Sequence, residues 1–157
     1  MTNFALVPSL NEEANIKEVI ERLKSSPIKN ILIVDDGSTD ATYRIAKSTG
    51  VNVIRHKVNK GKGASIKTGL DHIFTNYPKT KHIVLIDADM QYFPEEIGRI
   101  LESLGNGGAD FVMGYRDFST TPFRHKLGNF VWRTAFNILF GTNLKDTNCG
   151  YMGYMDR

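Results

Sequence analysis

Cysteine is all but missing: Cys149 is the single one in 157 residues. One thiol cannot build an internal disulfide framework, and it rules out a zinc site made of several cysteines. A reducing cytoplasm fits that usage. Long apolar runs are lacking too. None approaches the ~20 residues that span a bilayer, and the first residues show no basic leader followed by an apolar stretch, so no secretory signal is expected. Excess charge is small, formally +3, which is compatible with phosphorylated ligands or an anionic lipid surface but too mild and scattered for nucleic acid. Repeats and low-complexity tracts are absent. What remains, 41% hydrophobic and 24% charged residues, suits a single globular domain over residues 1–157 with a sizeable core.

Two kinds of apolar pattern alternate along that domain. Residues 4–7, stopped by Pro8, then 31–34, 51–54, 83–86 and 111–113 are short runs that read as buried strands. Between the first two, Ile16, Val19, Ile20 and Leu23 recur at i, i+3, i+4 and i+7 of a helix, with Asn11 as its cap and Glu12 and Glu13 in its first turn. A second helix, capped by Ser38 or Thr39, reaches Ser48 and stops at Gly50. A third opens at residues 59–64 and puts Ile66, Leu70, Ile73 and Phe74 on one face; a fourth carries Ile97, Ile100, Leu101 and Leu104. Strand and helix in strict alternation predict right-handed βαβ units, an α/β fold with a mostly parallel central sheet flanked by helices. After Arg116 the pattern changes. Residues 123–140 carry Leu127, Phe130, Val131, Trp132, Phe136, Ile138, Leu139 and Phe140, more apolar surface than one stripe, and such a helix either packs on the sheet or touches lipid.

The chemistry gathers where strands end. Residues 82–91 read H-I-V-L-I-D-A-D-M-Q, so Asp87 and Asp89 follow a buried strand, at the sheet edge where open α/β folds bind ligands. An isolated D-x-D is most simply a solvated acidic turn. Together with Gln91, these oxygen donors also suit a hard divalent cation, Mg²⁺ or Mn²⁺, that bridges to a substrate diphosphate. Asp35 and Asp36 end another strand in V-D-D-G-S-T-D, and Asp36 is the candidate to accept a hydrogen bond from a base edge or a ribose hydroxyl. Asp40 serves the turn and helix start, and Asp35 is open between that role and binding. The N-K-G-K-G-A stretch at residues 59–64, with Lys62, matches neither the P-loop nor the dinucleotide spacing; it is either a phosphate cradle at a helix N-terminus or a plain basic turn. Arg116 and Arg124 follow the fifth strand, where guanidinium forks match phosphate oxygens.

Six segments in order carry a resemblance: V-P-S-L-N-E at 7–12, V-D-D-G-S-T-D at 34–40, N-K-G-K-G-A at 59–64, D-A-D-M-Q at 87–91, G-Y-R at 114–116 and D-T-N-C-G-Y at 146–151. The chain resembles the family 2 glycosyltransferases of the GT-A, Rossmann-like nucleotide-sugar-binding fold, above all the branch that transfers sugars to polyprenyl or dolichyl phosphates. The resemblance implies that Pro8, Leu10, Glu12, Asp36, Lys62, Asp87 and Asp89 line the UDP- or GDP-sugar pocket. By the same resemblance Asp87, Asp89 and Gln91 hold Mg²⁺ or Mn²⁺, and Asp89, Arg116 and Arg124 form the catalytic set around the phosphates. Two departures stand out: Tyr115 replaces the serine of a common G-S-R, and the family continues beyond C-G-Y, so the expectation is a truncated or minimal domain at the C-terminus.

The implied reaction is an inverting displacement by a lipid phosphate at the cytosolic face of a membrane. A glycan hydroxyl as acceptor would need a base, for which Asp146 is the candidate. A catalytically silent nucleotide-sugar-binding module docking on a membrane partner is an alternative of another class. A phosphoacceptor receiver domain fits less well, because there the acidic pair follows the first strand and a lysine follows the fifth.

Overall fold

The computed structural model describes residues 2–105, 109–114, 134, 137–139 and 150–155. Strands β1 (Thr2–Ser9), β2 (Asn30–Asp35), β3 (Asn52–Arg55), β4 (Thr80–Leu85), β5 (Phe111–Met113) and β6 (Met152–Met155) form one sheet in the order β3-β2-β1-β4-β6-β5. Helices α1 (Ile16–Lys24), α2 (Thr42–Ser48), α3 (Lys62–Asn76) and α4 (Ile97–Gly105) connect them, the last preceded by a 3₁₀ turn at Pro94–Glu96. The first four strands are mutually parallel, and β6 runs antiparallel between β4 and β5. The expected α/β architecture, a mostly parallel sheet flanked by helices, is what the chain adopts.

Two apolar layers sandwich the sheet because alternate strand residues point to opposite faces. Ala5, Val7, Ile31, Ile33, Val84 and Ile86 meet the α1 stripe Ile16, Val19, Ile20 and Leu23, along with Ala46 of α2 and Ile97, Ile100 and Leu104 of α4. On the other face Phe4, Leu6, Leu32, Val34, Ile83 and Leu85 meet Ile66, Leu70 and Ile73 of α3. The chain moves outward from β1 to β3 and then returns across β1 to β4, so a crossover of constant hand puts α3 opposite α1 and α2. That reversal makes the carboxyl ends of β1 and β4 a topological switch point, where open α/β sheets leave a crevice.

Several local expectations are corrected. Pro8 does not stop β1; it pairs in register with Val34 inside the strand. The Leu6 carbonyl accepts from Ile86 N–H, so even-numbered residues of β1 turn their polar groups toward β4, and pairing there ends at Leu6. The missing N–H of Pro8 therefore costs no ladder bond. Asn11 does not cap α1, which begins five residues later at Ile16; instead it adopts a left-handed turn with φ of 54°, a conformation that asparagine tolerates. Phe74 is 44% exposed rather than packed with the α3 stripe. The strand β6 was not anticipated. Of residues 123–140, only Thr134 and 137–139 are described; they are helical, and Ile138 and Leu139 are exposed. The expected packing of that segment otherwise lies outside the described residues.

Two small residues sit among the apolar ones on the face of α3 that meets the sheet: Ser65 and Gly69 are buried there, one turn apart, next to Ile73. A Cβ built on Gly69 would lie 2.3 Å from Leu6 Cδ1, inside the sheet's upper layer. Gly69→Ala is therefore expected to destabilise the fold by about 1–3 kcal/mol, as overpacked core positions do, and Leu6→Ala in the same chain to recover part of that loss. Urea denaturation of the three variants measures both.

Candidate functional site

Four strand ends converge on one cavity of about 300 Å³. Pro8, Ser9, Leu10 and Glu12 line it from the β1 exit, Asp36 from the β2 exit, Asn59, Gly61, Lys62 and Ser65 from the turn into α3, and Asp87, Ala88 and Asp89 from the β4 exit. All seven residues expected in a nucleotide pocket, Pro8, Leu10, Glu12, Asp36, Lys62, Asp87 and Asp89, are among them. Ser9 Oγ is buried with no hydrogen-bond partner among the described residues, an orphaned hydroxyl facing a cavity that a ligand or water would satisfy.

The first wall is held by side chains that cross-tie two loops. Asn11 N–H donates to Ser38 Oγ at 2.9 Å, Glu12 N–H to Thr42 Oγ1 at 2.7 Å and Glu13 N–H to Asp40 Oδ2 at 3.1 Å. In return Thr39 N–H donates to Asn11 Oδ1 at 2.9 Å and Ala41 N–H to Glu13 Oε2 at 2.8 Å. Asp40 also receives the Thr42 N–H at 2.9 Å just ahead of α2, whose cap position is Ala41, so neither Ser38 nor Thr39 caps that helix. Asp35 is fully buried and pairs across the sheet with Arg55 Nε at 3.0 Å, an ion pair without an aligned hydrogen bond. Arg55 Nη2 donates to the Ser38 carbonyl at 2.8 Å, and the guanidinium lies over the Tyr43 ring at 4.7 Å. Asp35 thus serves the fold and does not line the cavity.

Asp36 organises the second wall. Its Oδ1 lies 2.6 Å from His56 Nδ1 and accepts from Lys60 N–H at 3.0 Å, while Oδ2 accepts from Gly61 N–H at 2.8 Å. Burial pushes the Asp36 carboxyl up, but the His56 hydrogen bond, the Lys60 and Gly61 amides and the His56 charge outweigh it and hold the group below the usual carboxylate range. Gly37, which follows, has φ of 76°, and a Cβ there would sit 2.7 Å from the Val58 carbonyl carbon; only glycine lets the two loops approach so closely. Gly61, with φ of 91°, then directs the chain into α3.

The third wall is acidic. Lys62 Nζ lies 2.6 Å from Asp87 Oδ1 and 2.8 Å from Oδ2, so the ammonium is clasped by both oxygens. The backbone of Gly150 packs against the same carboxylate, where a Cβ would fall 1.9 Å from Oδ2. Gly150 N–H donates to the Tyr92 hydroxyl at 3.1 Å, Tyr92 packs on Tyr151 with ring centroids 5.6 Å apart, and the Tyr151 carbonyl accepts from Gly114 N–H at 2.8 Å. The start of β6 and the end of β5 are thereby pinned beside Asp87. Asp89 Oδ1 receives the Gln91 N–H at 3.0 Å across Met90, whose φ of 61° is unusual for an unbranched apolar residue. The Gln91 side chain is exposed and does not line the cavity; its described contact is through the backbone.

Among the described residues no three His, Cys, Asp or Glu side chains gather into a closed metal cage. Asp87 and Asp89 instead offer two carboxylates open to a cavity, which fits a cation that takes its remaining ligands from substrate phosphate and water. Arg116, Arg124 and Asp146 lie outside the described residues. The residues not anticipated here are His56, Ser9, Ser65 and Tyr92. Of these only His56 carried a signal, a lone imidazole at the same strand-end edge as the acids.

Asp36 and Asp40, whose carboxyls are both held low, the latter by Thr42 and Glu13 against the effect of burial, link stability to pH. A carboxylate depressed in the folded state contributes stability above its unfolded pKa and loses it as pH falls through the folded value. The contribution of these two carboxylates is therefore expected to be level from neutrality to about pH 5 and to drop below about pH 4. His82, whose imidazole is held below its usual range by burial and the Lys81 charge, makes stability fall from below neutrality on its own account. Asp36→Asn should cost about 2 kcal/mol at pH 7 and flatten that acid limb, as measured by urea unfolding at a series of pH values.

Comparison with known proteins places this geometry. The Glycosyl transferase family 2 model matches residues 4–156. An uncharacterized protein of Methanocaldococcus jannaschii is 33% identical over 96% of this chain and 63% of its own length. The UDP-N-acetylglucosamine–dolichyl-phosphate N-acetylglucosaminyltransferase of Methanococcus voltae is 30% identical over 96% of this chain and 68% of its own length. Among solved structures, glucosyl-3-phosphoglycerate synthase from Mycobacterium tuberculosis, in complex with Mn²⁺, UDP-glucose and phosphoglyceric acid, superposes with a TM-score of 0.78 at 22% identity, covering 98% of this chain and 56% of that one. The chain spans roughly two thirds or less of these proteins, and among its described residues no helix is long and apolar enough to cross a membrane. With a family model covering nearly its whole length and strand ends that carry the family's motifs around one cavity, the chain belongs to glycosyltransferase family 2.

Proposed function

We propose that this chain binds a UDP- or GDP-linked sugar and acts in its inverting transfer to a polyprenyl phosphate of the dolichyl type, at the cytosolic face of a membrane. The observation that carries the reading is the meeting of Asp36, Lys62, Asp87 and Asp89, distant in sequence, around one cavity whose volume of about 300 Å³ matches the lower range of small-ligand sites. The Methanococcus voltae relative, named for a dolichyl-phosphate acceptor and a UDP-linked donor, supports the choice of substrates.

The walls divide the work by their chemistry. Leu10 offers an apolar surface and Glu12 and Asp36 offer acceptors, which suits a base and a ribose. Lys62 and the amino-terminal turn of the 15-residue α3 offer positive charge to a diphosphate. Asp87 and Asp89 would hold Mg²⁺ or Mn²⁺, which when bound offsets the charge gathering on the leaving diphosphate. In the transfer, an acceptor phosphate oxygen bonds to the anomeric carbon from the face opposite the diphosphate. The bond from that carbon to the β-phosphate oxygen breaks, its electron pair leaves with the oxygen, and the configuration inverts. A phosphate monoester, with a second pKa near ~6, is already largely anionic at neutral pH, so no general base is called for. Arg116 and Arg124 are assigned to the donor or acceptor phosphates. Asp146 is kept as the base only for a glycan hydroxyl acceptor, which nothing in the described geometry favours.

A thermal-shift panel of UDP- and GDP-sugars with and without Mn²⁺ tests the donor site. One nucleotide series with Mn²⁺ is expected to raise the midpoint by about 5 °C at saturating ligand, and Asp89→Asn to abolish the metal-dependent part of that rise. Undiminished Mn²⁺-dependent binding by Asp89→Asn would count against the assignment. Transfer of labelled sugar from the nucleotide to dolichyl phosphate by the whole chain tests the acceptor, and nucleotide binding without turnover would favour the silent-module alternative.

A further inference from the structure

His56 is buried behind the cavity without lining it. It follows β3, is only 6% exposed, and both ring nitrogens are engaged: Nδ1 lies 2.6 Å from Asp36 Oδ1 and Nε2 lies 3.0 Å from Thr68 Oγ1 on α3. An ionised Asp36 can only accept, which assigns a proton to Nδ1 and makes the imidazole a donor to the carboxylate. The same carboxylate receives the Lys60 and Gly61 amides. The contacts run in one line, from α3 through His56 to Asp36 and on to the turn that carries Asn59, Gly61 and Lys62 into the cavity.

We propose that His56 is a positioning residue for donor binding: it holds Asp36 in the orientation that receives the Lys60 and Gly61 amides, and so fixes the wall that faces the diphosphate. The inference rests on the reading of the cavity as a nucleotide-sugar site and adds to it a side chain that touches no ligand. An apolar residue of similar volume would fill the space, but it would leave the buried carboxylate without its shortest partner and free it to turn away from the amides.

Substitutions that separate the two ring nitrogens test it in the full chain. His56→Asn keeps an amide donor at the place of Nδ1, His56→Gln moves the amide toward Thr68, and His56→Leu has neither. Binding of UDP-glucose and of GDP-mannose with Mn²⁺ by calorimetry is expected to weaken about tenfold in the Gln and Leu variants and to stay within about threefold of the parent in the Asn variant. Exchange of the Lys60 and Gly61 amides with solvent, followed by NMR, is expected to quicken about tenfold in the same two variants and to be restored by Asn. Thr68→Val, which leaves Asp36 its partner and loosens the far side of the ring, should fall between and serves if His56→Leu does not fold. Equal binding and equal exchange in all variants, or an Asn variant as impaired as Leu, overturns the inference. Amide exchange reads the clamp without any donor, so a parent chain that binds neither nucleotide sugar counts against the functional reading, whereas exchange insensitive to His56→Leu counts against the clamp.

Discussion

A buried negative charge must be met from every side, and in this chain that demand falls on Asp36. Its carboxylate is 2% exposed and lies just past the end of β2, where no strand continues to satisfy it. Leaving it unpartnered would be costly, so the structure brings a histidine from the β3 exit and two amides from the turn into α3 to the same two oxygens. The consequence reaches beyond the charge. The loop after β2 and both ends of the connection from β3 to α3 are drawn to a common point, and the crevice left by the strand reversal at β1 and β4 becomes a walled cavity. The cross-tied loops after β1 and β2 do the same on the opposite wall, with hydrogen bonds passing both ways between Asn11 to Glu13 and Ser38 to Thr42.

The strands and helices up to Met113 were legible because each reports its own burial. A run such as Ile31 to Val34 or Ile83 to Ile86 is apolar on both faces only if helices cover both, and the Ile16, Val19, Ile20, Leu23 stripe has one period. The acids were legible as well, since a carboxylate directly after such a run has one place to go, the sheet edge. What misled the reading were signals whose meaning depends on neighbours. Pro8 is a strand breaker only where its N–H is required, and here β4 has already ended on that side. Asn11 reads as a cap until the left-handed turn and the partners Ser38 and Thr39, 27 and 28 residues away, are known. Phe74 sits at a plausible stripe position, yet the inward face of α3 is the one that buries Ser65, Gly69 and Ile73. No local period marks β6, four residues holding Gly153 at the middle, because its place is decided by the gap between β4 and β5.

Family membership and chemistry rest on different supports here. The family model covers residues 4–156, and the fold likeness to a solved nucleotide-sugar enzyme extends over 98% of the chain. The described residues supply one walled cavity with an apolar surface, an acidic wall and a basic helix start, which the proposed function reads as the donor side. Arg116, Arg124 and Asp146, which the proposed function assigns to the phosphates or to the acceptor, fall outside the described residues. Nucleotide binding at the described cavity can therefore be tested apart from transfer.

The clasp of Lys62 on Asp87 gives the acidic rim a resident counter-ion. An acidic edge awaiting a divalent ion would otherwise pay electrostatic self-repulsion and capture whatever cation was abundant. With an ammonium already seated against both oxygens, and with the Gly150 backbone closing the other side of the carboxylate, a divalent ion binding at Asp87 would exchange one cation for another. On the proposed reading, a lysine so displaced would be freed beside the incoming diphosphate, and metal and nucleotide would favour each other's arrival.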